Sequence, residues 1–149
     1  MSYKVIDEFV PRGEFLNFQE DVMSSTFPWC YSEYVSYDGD EGHGYYDHNI
    51  LINNQPVGPY SSQMIDFIYA LIPDLTSIIR ARIISFTRTQ SVVEHGKHVD
   101  FPIPHTGMLL YLNTNNGFTR LEDGTMIDSV ENRALFHDPS KMHNSTSCS

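Results

Sequence analysis

Beyond Thr76 the chain breaks into short runs suited to strands, punctuated at close intervals by turn-forming residues, and this limits the fold more than any other feature. Ile78, Ile79, Ile83, Ile84 and Phe86 make a β-branched run with Arg80 and Arg82 interleaved. Further runs cover 107–112, 117–121, 125–127 and 133–137, separated by residues such as Asn115-Asn116-Gly117 and Asp123-Gly124. Branched and aromatic side chains pack well on a pleated surface, whereas Asn, Asp and Gly tolerate the backbone of tight turns. Short strands so punctuated predict an antiparallel sandwich or barrel.

Helical periodicity is confined to the first half. Pro11, whose fixed φ and missing N–H suit the first helical position, precedes Phe15, Phe18 and Val22, spaced along one helical face. A second helix is expected after Ser61 and Ser62, both suitable caps, with Met64, Ile68 and Leu71 on one side, Ile65 and Ile72 adjacent, and an end near Pro73. Both stripes are expected to pack rather than to cage a ligand, and the helices to precede the strands.

Between them, residues 27–60 are rich in Tyr and Gly and hold Trp29, Tyr31, Tyr34, Tyr37, His43, Tyr45, Tyr46 and His48. Alternation survives only in fragments such as 31–35, so short strands and exposed loops are expected, with Trp29, Tyr45 and Tyr46 as candidates for a substrate cleft or for ordinary packing. Asp38, Asp40, Glu41 and Asp47 miss the EF-hand spacing and are expected in a solvated loop. No repeat, low-complexity tract or long linker divides the chain, which is expected to form a single domain over 1–149.

A hydrophobic content of 40%, with 13% aromatic, suffices for one real core. Nine basic residues against nineteen acidic ones give a net charge of −10, a surface that repels phosphate backbones, so neither nucleic acid nor an anionic membrane is an expected partner. Cys30 and Cys148 are too few for a disulfide framework and lack zinc-type spacing; free thiols in a reducing compartment are expected. The first eight residues lack a basic segment followed by an apolar one, and no apolar run approaches the roughly 20 residues a bilayer needs. A soluble, cytoplasmic protein is expected. A hydrolase is disfavoured, because there is no Gly-x-Ser-x-Gly and neither Cys sits in a local catalytic signature.

The richest polar segment is Glu94-His95-Gly96-Lys97-His98-Val99-Asp100-Phe101. His98 and Asp100 are two apart, which on an extended strand sends an imidazole and a carboxylate to the same face, where they can chelate a divalent metal. A third ligand is needed. His143 is the candidate, since a jelly roll brings distant strands together, and two His plus one carboxylate are the donor set of non-haem Fe(II) oxygenases. His95 and His105 compete for the ligand role.

The run 95–100, then Leu110-Tyr111-Leu112-Asn113 before Gly117-Phe118-Thr119, then Glu122-Asp123-Gly124-Thr125, the stretch 130–136, and finally His143 after Pro139-Ser140 carry a wider likeness. In order and spacing, the chain from Arg82 to its end resembles the Fe(II)- and 2-oxoglutarate-dependent dioxygenases, in particular the prolyl 4-hydroxylase-like branch common in viral and marine microbial sequences. The resemblance implies a mainly β (α+β) fold, a double-stranded β-helix or cupin-like jelly roll with supporting N-terminal helices. It implies iron bound by His98, Asp100 and His143, and places Tyr111 where the family often sends a phenol toward the distal carboxylate of 2-oxoglutarate; the plain alternative is a half-buried strand tyrosine.

The reaction so implied consumes dioxygen, converts 2-oxoglutarate to succinate and carbon dioxide, and hydroxylates a substrate C–H bond, with ascorbate as an accessory reductant. The substrate implied first is a prolyl residue in a peptide or protein, although small-molecule substrates occur on the same fold. One departure matters. Related enzymes anchor the distal carboxylate with an Arg or Lys on a final strand, and this sequence stops at Ser149, six residues past His143. The expectation is that a further strand is missing from the chain; the competing reading reroutes the anchor through Arg82, Arg133 or Lys141. The rival function is a noncatalytic, metal-stabilised jelly-roll binding module that has lost co-substrate binding.

Overall fold

In the computed structural model, residues 3–36 and 44–149 are described. The elements in chain order are β1 (Lys4–Ile6), α1 (Arg12–Met23), β2 (Cys30–Ser32), β3 (Tyr45–Ile52), β4 (Gln55–Pro56), α2 (Ser61–Leu71), β5 (Ala81–Phe86), β6 (Gly107–Tyr111), β7 (Phe118–Arg120), β8 (Met126–Asp128) and β9 (Arg133–His137). The protein is mainly β with two helices among the described residues, and the helices are interleaved with the first strands rather than preceding them.

All strand pairs are antiparallel. One sheet has the order β1-β9-β6. In the second, β3 is central, flanked by β2 and β4 on one side and by β5 on the other. The β7-β8 ribbon is the third pairing; the turn expected around Gly117 precedes it and the one expected at Asp123-Gly124 joins its two strands. Gly124 has φ +87°, which a side chain would resist.

Helices α1 and α2 cover one face of the second sheet. Val22 and Met64 meet Phe27, Ile50 and Ile83 in one buried cluster, with Phe18, Trp29 and Ala81 packed against it. A second cluster joins Leu121, Ile127 and Leu135, with Val5, Leu109 and Tyr111 against it. Phe15 and Leu135 are fully buried, each burial stabilising the fold by about 1.5–3 kcal/mol. Because Ala81 and Ile83 face the helices, Arg82, Ile84 and Phe86 project from the other face of β5, beside their register partners Asn49, Asp47 and Tyr45.

Several expectations need correction. Pro11 flanks α1 instead of opening it: its ψ of 131° is extended, and its carbonyl accepts the first helical bond from Phe15 N–H at 3.0 Å. Ser61 begins α2 and caps nothing, because its hydroxyl donates to Gly58 O at 3.1 Å; Tyr60 is the flanking residue. The β-branched run from Ile78 becomes strand only at Ala81. Asp47 is buried within β3, where Ser32 Oγ at 3.3 Å and Asn49 Nδ2 at 2.7 Å donate to its carboxylate, so it does not belong to a solvated loop. Asp38, Asp40 and Glu41, with Tyr37 and His43, lie outside the described residues.

The last residues are held from both sides. On one side His95 N–H donates to Ser145 O at 3.0 Å and Ser147 N–H to Val93 O at 2.9 Å; on the other, Arg120 and Asn144 exchange N–H···O bonds of 2.9 and 3.0 Å. Residues 143–148 thus run between 93–98 and β7. Arg120 also forks onto Glu94 through Nε at 2.9 Å and Nη2 at 2.7 Å, tying the two flanks across that run. Its hydrogen bond holds the Glu94 carboxyl down at about 2. No helix among the described residues is long and apolar enough to cross a membrane.

Candidate metal centre

His98 and His143, 45 residues apart, are register partners across an isolated antiparallel bridge. They exchange both backbone bonds, His98 N–H to His143 O at 2.9 Å and His143 N–H to His98 O at 3.0 Å. Directly opposed residues in such a pair present their side chains on the same face, and the two imidazole centroids lie 4.6 Å apart. Asp100, two residues on, is fixed by its own N–H donating to Pro139 O at 2.9 Å. One ligand atom from each of His98, Asp100 and His143 lies within 4.8 Å of the others. His98 stands in a single bridge rather than in the continuous strand expected, yet the alternation needed to bring His98 and Asp100 together is preserved.

Both imidazoles are oriented by the backbone. His98 Nδ1 is 3.1 Å from Gly96 O and His143 Nδ1 is 2.9 Å from Lys141 O. A carbonyl only accepts, so Nδ1 carries the proton and Nε2 keeps a lone pair for a metal. Burial lowers the His143 pKa, outweighing the opposing bond to Lys141 O, so the ring is neutral at pH 7. For Asp100, burial works to raise the pKa but is overcome by the charge and hydrogen bond of Arg80, then by His143 and His98; the carboxyl stays below its usual value and ionised. Two imidazoles whose Nδ1 atoms face carbonyls, leaving Nε2 toward the site, and one carboxylate suit a divalent transition metal, and this donor set fits iron(II).

Two neighbours had no role in the sequence reading. Arg80 Nη2 lies 2.8 Å from Asp100 Oδ1, and its guanidinium stacks on the Phe101 ring at 5.0 Å. His137, at the end of β9, is buried with its ring 5.0 Å from that of His143; burial first, then His143, pushes its pKa down to about 4. Arg80 left no distinguishing mark beyond its alternation with Arg82, and His137 none beyond closing a strand.

The competing ligands stand apart from the three-residue group. His95 Nδ1 is 2.9 Å from Ser145 Oγ and its ring packs on Phe86 at 4.6 Å. His105 Nδ1 is 2.7 Å from Ile103 O, with its ring against Phe101. Tyr111 lies on β6, its phenol donating to Thr119 Oγ1 at 2.8 Å, and burial pushes its pKa up to about 12. Of the basic residues considered for the co-substrate, Arg133 is held by Asp7 through bonds of 2.6 and 3.1 Å. Arg82 donates to Tyr45 Oη at 3.0 Å, and Lys141 is exposed. Trp29 packs against the helix-side cluster and Tyr45 is buried with its ring 5.8 Å from that of Phe86, whereas Tyr46 is exposed in an edge-to-face pair with Tyr31.

No protein-family model and no curated protein sequence matches the chain. Among solved structures, an oxidoreductase of the 2OG-Fe(II) oxygenase family from Burkholderia pseudomallei is similar over 98% of this chain and 78% of its own, with a TM-score of 0.70 at 14% sequence identity. At that identity the likeness is one of architecture, and it shows that this chain has the fold found in a 2OG-Fe(II) oxygenase.

Proposed function

We propose that this protein is an Fe(II)- and 2-oxoglutarate-dependent dioxygenase that hydroxylates a substrate C–H bond, a prolyl residue being the first substrate class to test. The observation that carries the reading is the approach of His98, Asp100 and His143 to within 4.8 Å on a fold shared with an oxygenase. The 149 residues act in this reading as one oxygenase domain, a double-stranded β-helix supported by α1 and α2. Cys30 and Cys148, both free, suit the reducing conditions of a cytoplasm.

When bound, iron and 2-oxoglutarate supply the oxidising power: dioxygen gives one oxygen atom to succinate as carbon dioxide is lost, and the other to the substrate as hydroxyl. The protein's share is orientation. Gly96 O and Lys141 O hold the protons on Nδ1 and leave Nε2 of His98 and His143 as donors. His98, Asp100 and His143 would hold the metal, the Asp100 carboxylate offsetting part of its charge, and three protein donors would leave room for co-substrate and oxygen. Tyr111, whose phenol now donates to Thr119 Oγ1, would in this reading turn that proton toward the distal carboxylate of the co-substrate. Ascorbate serves to keep the metal reduced.

The test is turnover. Purified protein with Fe(II), ascorbate, oxygen and a proline-containing peptide library is expected to form succinate from 2-oxoglutarate, and His98→Ala to abolish it. Tight Fe(II) binding with no succinate formed, with or without substrates, would support the noncatalytic metal-stabilised module instead.

A further inference from the structure

Arg80 immediately precedes β5 and alternates with Arg82, yet its surroundings belong to the ligand segment. Its guanidinium is gripped by two consecutive residues, Asp100 through a 2.8 Å ion pair and Phe101 through its ring face at 5.0 Å. The two charged side chains are only 29% and 24% exposed. An arginine fork stacked on an aromatic ring is preorganised, so it loses less freedom on bonding than an exposed lysine would.

The Asp100 oxygen taken by Arg80, Oδ1, also lies 3.9 Å from His98 Nε2. Among the described residues, Arg80 is the side chain that hydrogen-bonds this carboxylate. Without it, no other side-chain hydrogen bond in that set would hold the carboxylate against rotation about its broad terminal torsion. A guanidinium bond uses lone pairs on one oxygen and leaves the others for a metal, so one carboxylate can serve both partners.

We propose that Arg80 is a positioning residue of the metal centre, fixing the Asp100 carboxylate against the two imidazoles so that divalent metal binds more tightly with Arg80 than without it. The proposal rests on the reading that His98, Asp100 and His143 bind the metal. Its sign is informative. Charge repulsion alone makes a nearby cation weaken the binding of a dication, whereas loss of an outer partner to a ligating group typically costs about 10- to 100-fold in metal affinity.

Co(II) alone, without 2-oxoglutarate, is the probe, with affinity and the d–d absorption band as readouts for wild type, Arg80→Gln, Arg80→Lys, Phe101→Leu and His98→Ala. Arg80→Gln is expected to weaken Co(II) binding about 10- to 100-fold and to change the band, because Asp100 loses its fixed aim. Arg80→Lys restores part of the affinity, and Phe101→Leu weakens it less than Arg80→Gln does. A merely structural Arg80 would lower thermal stability and leave both readouts of the folded protein unmoved. Co(II) binding by Arg80→Gln as tight as or tighter than wild type overturns the proposal. If Arg80→Gln fails to fold, Phe101→Leu decides, and unchanged affinity and band overturn it. Wild-type protein that binds no Co(II), or binds it equally well after His98→Ala, overturns the metal reading itself and this inference with it.

Discussion

Asn132 shows how much one side chain can hold. It is fully buried with φ +59°, and its amide spans the backbone of Val10: Oδ1 accepts from Val10 N–H at 2.9 Å and Nδ2 donates to Val10 O at 2.8 Å. Its own N–H donates to Tyr111 O, and its carbonyl accepts from Phe9 N–H. Asn132→Ala keeps the left-handed backbone without the side chain that suits it and strands both Val10 groups. A loss of about 2–4 kcal/mol is expected in urea unfolding. Asn132→Gly is expected to recover only the backbone part. At this scale the sequence was readable where spacing carries the chemistry: His98 and Asp100, two apart, needed only an extended backbone to share a face. Arg80 was not readable, because its partner lies twenty residues on and nothing local distinguishes it from Arg82.

Among the elements, the run 143–148 carries His143 and is wedged between neighbours on both sides. Gly117 faces it: a Cβ there would stand 2.9 Å from Ser147 O, 3.0 Å from Thr146 Oγ1 and 2.8 Å from Asn115 Oδ1. A backbone carbonyl has no rotamer by which to retreat, so Gly117→Ala is expected to cost about 1–3 kcal/mol. Because the displaced run includes His143, the proposed third ligand, the same variant is expected to weaken Co(II) binding, read in the same titration as its unfolding curve. Strands β6 to β9 were legible within a residue or two, since each is short and bounded by turn chemistry. β3 was not, although it is the longest: Tyr45, Asp47, His48, Ile50 and Leu51 are all buried, so both faces are covered and alternation is lost. The run 143–148 was equally opaque, being polar in sequence and buried through backbone pairing and small side chains rather than apolar bulk.

Across the whole molecule, one apolar cluster joins the helices to the second sheet and another joins the first sheet to the β7-β8 ribbon. The N-terminal segment is tied to the far end of the chain by Asn132, by Asp7 on Arg133 and by Arg12 on Glu131. The three-residue group is held by backbone pairing of its own, His98 with His143 and Asp100 N–H to Pro139 O, and preorganisation of this kind is what a tight, selective metal site requires. The antiparallel, mainly β character followed from punctuation and periodicity, whereas the jelly roll was what the family resemblance implied; the approach of the candidate ligands depended on a pairing of 98 with 143 that no local pattern announces. Anaerobic Fe(II) titration of wild type, His98→Ala, Asp100→Ala and His143→Ala, each checked for retained β structure by circular dichroism, tests the account most directly. One Fe(II) per chain in the wild type, with binding weakened at least about 100-fold in each folded variant, is the result predicted. Undiminished Fe(II) uptake by the folded His143→Ala protein would contradict it.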